Sequence, residues 1–228
     1  QLMTSNAGNG GVSGLIVLST GSATDGDSGA VYVGSGTGVA GRGGDVYVTV
    51  GSGDAGLGGE LVLSAGTTTD TDSGGHVLLR SGYSTQTSSG DLQLMTSNGG
   101  VAGGVSGLIV LSTGVSTDGD SGAVYVGSGT GVGGRGGDVY VTVGSGDDGL
   151  GGELVLSAGT TTSAAGSGGH VLLRSGYSTK TSSGALQLMT SNAGTGGVSG
   201  LIVLSTGVST DGNSGAVYVG SGTGVGGR

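Results

Sequence analysis

Residues 44–53 read GDVYVTVGSG, and this stretch sets a pattern that the rest of the chain repeats. Val46, Val48 and Val50 alternate with polar or aromatic residues, which is the two-residue period of a β-strand. Paired glycines precede the run and Gly-Ser-Gly follows it, so turn-forming residues bound it on both sides. The stretch therefore predicts one short strand between two turns.

The same pattern recurs at short, regular intervals. The second glycine before each apolar run falls at Gly14, Gly29, Gly44, Gly59, Gly75, Gly90 and Gly107. The spacing is 15 to 17 residues, with a mean of about 15.5. Six units form a longer repeat, because residues 14–17 return at 107–110 and again at 200–203, a period of 93 residues. Self-similarity at a fixed period is typical of solenoids and other repeat arrays.

The repeats run through the whole sequence. We expect one continuous array over residues 1–228 without caps, with long-repeat copies at about 1–92, 93–186 and 187–228. Gln1 falls in the middle of a predicted strand, and Arg228 stops just before the strand that should follow it, as one does after Arg42 and Arg135. These positions favour a segment of a longer chain.

Each unit can be numbered from its second glycine as position 0. Positions 2 and 4 are almost always Val, Ile or Leu and position 6 is small or β-branched, so these side chains are predicted to face a core. The fold class predicted is all-β: a parallel β-solenoid of strand-link units, with two units, or about 31 residues, in each coil. An antiparallel β meander is the alternative, although links of about eight residues exceed the usual hairpin loop. A disordered linker fits the composition but not the strict alternation.

The composition excludes several classes of protein. The chain has 61 glycines, seven tyrosines as its only aromatic residues, and no proline or cysteine. No apolar run approaches the ~20 residues of a membrane helix. Six Lys and Arg residues against 15 Asp and Glu give a net charge of −9, which disfavours nucleic acid as a partner. Disulfides, membrane insertion and nucleic-acid binding are therefore not expected.

Catalytic chemistry is not expected either. His76 and His170 are equivalent residues of successive copies, and no nucleophile with a base and an orienting group can be recognised. We predict no catalytic, cofactor-binding or metal-binding residue. Calcium at the Asp-rich links 24–28, 69–72 and 117–121 is the alternative, but the later copy of 69–72 lacks the carboxylates. Turn formation is the better explanation of these aspartates.

The repeated motif Ser-Gly-x-Val-x-Val-x-Ser-Gly, with Asp/Ser/Thr/Gly links, resembles the long Gly/Ser/Thr repeat regions of large surface proteins of algae and other protists. It is also similar to the β-solenoid shafts of fibres and adhesins. The resemblance covers all 228 residues and implies an extracellular or cell-surface structural role. It transfers no site residue.

Position 3 carries apolar residues on the face opposite the predicted core. A solvated sheet face is usually polar, so recurring apolar residues there predict a contact surface. We expect a lateral assembly face formed by Tyr32, Tyr47, Val62, Leu78, Tyr125, Tyr140, Val155 and Leu172. The function expected is a rigid structural shaft of an extracellular filament, appendage or wall layer, built from copies of the chain itself. A surface adhesin that binds glycan is the first alternative, and an ice-binding protein is the second.

Overall fold

The computed structural model describes residues 1–225, and within that range no residue lies in an α-helix or a β-strand. There are consequently no element bounds to give. The predicted parallel β-solenoid is wrong, and so is the antiparallel meander, because both require paired strands. The described chain is mostly coil, in which extended segments alternate with bends.

A hydrophobic core is also missing from residues 1–225, where no apolar side chain is buried. The chain exposes 22658 Å² of solvent-accessible surface. A compact protein of 21.0 kDa would expose about 9,000 Å² and a fully extended one about 30,000 Å². Positions 2 and 4 were expected in a core, yet Val46 is 53% exposed and Val48 66%. The predicted inward face is therefore open to solvent.

The links between segments are turns, as the sequence predicts. Bends fall in each link of residues 1–225, and nine glycines within the links adopt positive φ, such as Gly26 at 118° and Gly119 at 133°. Positive φ is accessible to glycine because it lacks a Cβ. Ala40 is the exception, at 62°, and its equivalent in the next copy is Gly133. Nine of the described links thus contain a glycine with positive φ, and a tenth contains Ala40 in that conformation.

Each link is closed by a contact that we call the clamp: the position-6 residue of one segment lies against position 0 of the next. A Cβ built on each position-0 glycine would lie 2.5–3.9 Å from the side chain of the preceding position-6 residue. The described residues contain fourteen such pairs: Thr4–Gly14, Thr20–Gly29, Ser35–Gly44, Val50–Gly59, Ala65–Gly75, Ser81–Gly90, Thr96–Gly107, Thr113–Gly122, Ser128–Gly137, Val143–Gly152, Ala158–Gly169, Ser175–Gly184, Thr190–Gly200 and Thr206–Gly215. The contact excludes a Cβ without rearrangement at Gly59 and Gly152, where the distance is 2.5 Å, and is an ordinary van der Waals distance at Gly90 and Gly184.

Hydrogen bonds reinforce many of the clamps. The hydroxyls of Thr4, Thr20 and Ser128 donate to the carbonyl oxygens of Gly14, Gly29 and Gly137 at 3.2, 3.0 and 2.7 Å, and Ser35 donates to Gly44 in the same way. Other clamps use a backbone bond, as where the N–H of Gly75 donates to the carbonyl of Gly66 at 2.9 Å. Each clamp therefore rests on contact with a side chain, and many clamps also have a hydrogen bond from a hydroxyl group or from a glycine N–H.

The clamps occur throughout both units into which the chain divides. Gln1–Leu111 contains the seven clamps from Thr4–Gly14 to Thr96–Gly107. Ser112–Arg228 contains the seven from Thr113–Gly122 to Thr206–Gly215. Each unit is therefore a series of clamped links joined by extended segments.

The missing strands have a physical explanation in the composition of the links. Two paired strands alone are marginally stable in water and need a further layer against one apolar face. The links cannot supply that layer, because their few large apolar residues, such as Val39 and Leu57, point fully into solvent. Ordering a glycine also costs more conformational entropy than ordering any other residue. The isolated chain therefore forms the local contacts that close each link, but not a paired sheet within residues 1–225.

Candidate self-association surface

The surface with the clearest chemistry is the set of extended segments, each of which exposes large apolar side chains. In the segment 44–50, Tyr47 is 82% exposed, and the flanking Val46 and Val48 are at least half exposed. All eight residues of the predicted lateral assembly face are exposed in the same way: Tyr32, Tyr47, Val62, Leu78, Tyr125, Tyr140, Val155 and Leu172. The structure does not gather them into one buried cluster. It presents them segment by segment.

Exposure differs along a segment in a regular manner. In the segments that carry a tyrosine, position 3 is the most exposed of the apolar sites, with Tyr32 at 94%, whereas Val50 at position 6 is 44% exposed. The other partly covered residues also stand at position 6: Thr4, Ala65, Ser81, Ala158, Ser175 and Thr206. The clamp therefore shields the end of each segment and leaves its centre free. The free centre is the part available to a partner.

Two tyrosines of this surface belong to a small polar cluster. Arg42 donates from Nη2 to Oδ1 of Asp45 at 2.6 Å, and the hydroxyl of Tyr47 donates to Oδ2 of the same carboxylate at 3.2 Å. The next copy repeats both bonds with the same distances, in Arg135, Asp138 and Tyr140. Asp45 and Tyr47 are two residues apart and so share one side of an extended segment.

This cluster orients the tyrosine more than it stabilises the chain. The Arg42 and Asp45 side chains are 80% and 44% exposed, and a pair this open to water contributes at most about 1 kcal/mol. The carboxylate nevertheless engages the phenol hydroxyl and leaves the ring in solvent. Tyr47 and Tyr140 thus present an apolar ring whose polar atom already has a partner, which suits an interface.

The polar links show turn chemistry. The amide of Thr71 donates to Oδ1 of Asp70 at 2.8 Å, and the amides of Gln86 and Thr87 both donate to the hydroxyl of Ser84. Such bonds from backbone to short polar side chains are what turn-forming residues provide. Over residues 1–225, no group of three or more acidic, His or Cys side chains is placed to hold a metal ion. The calcium alternative gains no support from this geometry.

The described part of the chain was also searched for ligand pockets and membrane-spanning helices. It contains no detectable pocket. Within residues 1–225 no helix long and apolar enough to cross a membrane occurs.

Sequence reasoning missed two features of this surface. It assigned the position-6 side chains to a core, whereas they form the clamps. The signal in the sequence was their regular separation, 9 to 11 residues, from the next position-0 glycine. It also overlooked the Arg42, Asp45 and Tyr47 cluster. A basic residue three before an acid and a tyrosine two after it could have indicated that contact in an extended segment.

Comparison of the chain with models of known protein families, with curated proteins and with solved structures gives no match. The surface must therefore be interpreted from its own chemistry.

Proposed function

We propose that this chain is a structural protein that builds an extracellular filament, appendage or wall layer by associating with other copies of itself. The observation that carries the proposal is the recurrence of exposed apolar side chains at position 3 of most segments in successive copies of the repeat. Contiguous exposed apolar residues mark interaction surfaces in soluble proteins. The stacking of solenoid coils has no part in this proposal, because residues 1–225 form no such coils.

Hydropathy argues against a chain that simply stays solvated. Disordered linkers combine low hydrophobicity with high net charge. Here the mean hydropathy is +0.21, and only 9% of the residues are charged. The apolar residues are moreover concentrated in the segments and not scattered. A chain of this kind reduces its exposed apolar area most readily by associating with another molecule.

Repetition favours the chain itself as that other molecule. Residues 14–20 and 107–113 are identical, and residues 44–53 return unchanged as 137–146. Differences between these two copies fall mainly in the links, as at Ala40 and Gly133 or Ala55 and Asp148. Identical segments give every copy the same set of contacts many times over, so weak individual contacts add up. The extracellular placement rests on the resemblance to repeat regions of surface proteins.

A paired substitution tests the proposal. Replacing Tyr47 and Tyr140 with Lys places two charges at the segment centres, so assembly should require about tenfold more protein or fail. The matched control replaces Leu57 and Leu150 with Lys, which makes the same charge change at fully exposed link residues.

Sedimentation velocity over a concentration series measures assembly, and negative-stain electron microscopy shows its form. Filaments or sheets from the wild-type chain and the Leu57→Lys/Leu150→Lys control, with few or none from the Tyr variant, are the expected result. A wild-type chain that stays monomeric at all concentrations would contradict the proposed function.

A further inference from the structure

The extended segments expose their backbone as well as their side chains. The backbone hydrogen bonds of residues 1–225 all lie within links or across the clamps, as between Gly90 and Gly82 at 2.9 Å. The N–H and C=O groups at the segment centres therefore face solvent. An extended run with free backbone groups is a template on which another strand can pair.

We propose that segments of one chain pair as antiparallel β-strands with like segments of a second copy of this chain. The inference rests on the proposed function and specifies its contact: strands that residues 1–225 do not form within one chain arise between chains. The segment centres are rich in Val, Ile and Tyr, which suit a pleated, half-buried surface, together with Leu.

Surface area and charge support a second copy as the partner. One chain exposes 22658 Å², whereas a compact protein of this mass would expose roughly 9,000 Å². A standard protein–protein interface of about 1,600 Å² would therefore cover only a small share of the exposed surface. Positions 2 to 4 carry no charged residue in any segment, so two segment centres can meet without repulsion. The acidic residues stand at position 1 or in the links.

Those position-1 acids decide the orientation of the pair. Parallel pairing in register would place Asp45 beside Asp45 and Glu60 beside Glu60 of the other copy, and like charges directly opposite are destabilising. Antiparallel pairing about position 3 places Asp45 opposite Thr49 and sets Tyr47 against its equivalent. Segments without an acid at position 1, such as those that start with Leu15, Ala30 and His76, gain nothing from this orientation.

Cysteine crosslinking tests the orientation cleanly, because the chain contains no cysteine. One variant carries Val46→Cys and Val139→Cys, and a second, larger by a tag, carries Val48→Cys and Val141→Cys. Opposed residues of paired strands lie about 4.5–5.5 Å apart between Cα atoms, within the range of a disulfide. Assemblies of each variant alone and of an equal mixture are oxidised with oxidised glutathione and separated by size under denaturing conditions.

The expected result is mixed-size dimers from the mixture, with few dimers from either variant alone, together with a fibre-diffraction reflection at about 4.7–4.9 Å. Dimers from each variant alone, without mixed dimers, would show parallel register and overturn the inference. Assemblies that lack the reflection would overturn it too, while leaving the proposed function intact. Absence of any assembly would reject both.

Discussion

At the residue scale, the closest clamps give a steric reason for glycine at position 0. A Cβ on Gly59 would lie 2.5 Å from Cγ1 of Val50, closer than real Cβ contacts, whereas a Cβ on the adjacent Gly58 would meet nothing within 4 Å. Gly59→Ala should therefore open the link, shifting its closure by about 1 kcal/mol or more, and Gly58→Ala should not.

Contacts between the Val50 methyls and the Gly59 α-protons, measured by NMR in the dilute chain, follow that closure. Equal loss of the contact in both variants would show that chain entropy, and not the steric fit, governs the link.

A second residue-scale prediction uses the natural pair Ala40 and Gly133. Holding a residue with a Cβ in the left-handed region costs about 1 kcal/mol or more. Ala40→Gly should therefore strengthen the NMR contact between Ser35 and Gly44, and Gly133→Ala should weaken the equivalent contact between Ser128 and Gly137. Each substitution introduces the residue that the other copy of the repeat has at the equivalent position, so each serves as the other's control. Changes of the same sign in both would mean that φ does not limit closure.

At the scale of the element, the sequence predicted the boundaries of segments and links but not the pairing of segments. Alternation at Val46, Val48 and Val50 is a local property; the turns that it predicted at both ends are present, but the strand that it predicted between them is not. A strand, however, is defined by a partner, and alternation does not specify where that partner comes from. The sheet was inferred within one chain, although the links offered no second layer. The lateral surface was predicted from the apolar position 3, and its partner stays a prediction.

At the scale of the whole molecule, charge should regulate assembly. The net charge is −9, with most acids in the links, so copies repel one another at low ionic strength. Raising the salt from about 0.01 M to 0.1 M shortens the screening length from about 30 Å to 10 Å. The concentration at which assembly begins, followed by light scattering, should fall severalfold over this range.

A neutral sugar at matched osmolarity should leave the onset of assembly unchanged, since it does not screen charge. Weaker assembly at higher salt would instead indicate that ion pairs, such as those of Arg42 and Arg135, hold the copies together.

Hydrogen–deuterium exchange measured on one preparation, first dilute and monomeric and then assembled, tests the central claim most directly. The segment amides, such as those of residues 45–49, should exchange without protection in the monomer and become protected in the assembly, because only a second copy provides their hydrogen-bond partners. The link amides should exchange at similar rates in both states, because their hydrogen bonds are formed within one chain. Protected segments in the dilute monomer would contradict the account, because the single chain would then be burying its own strands.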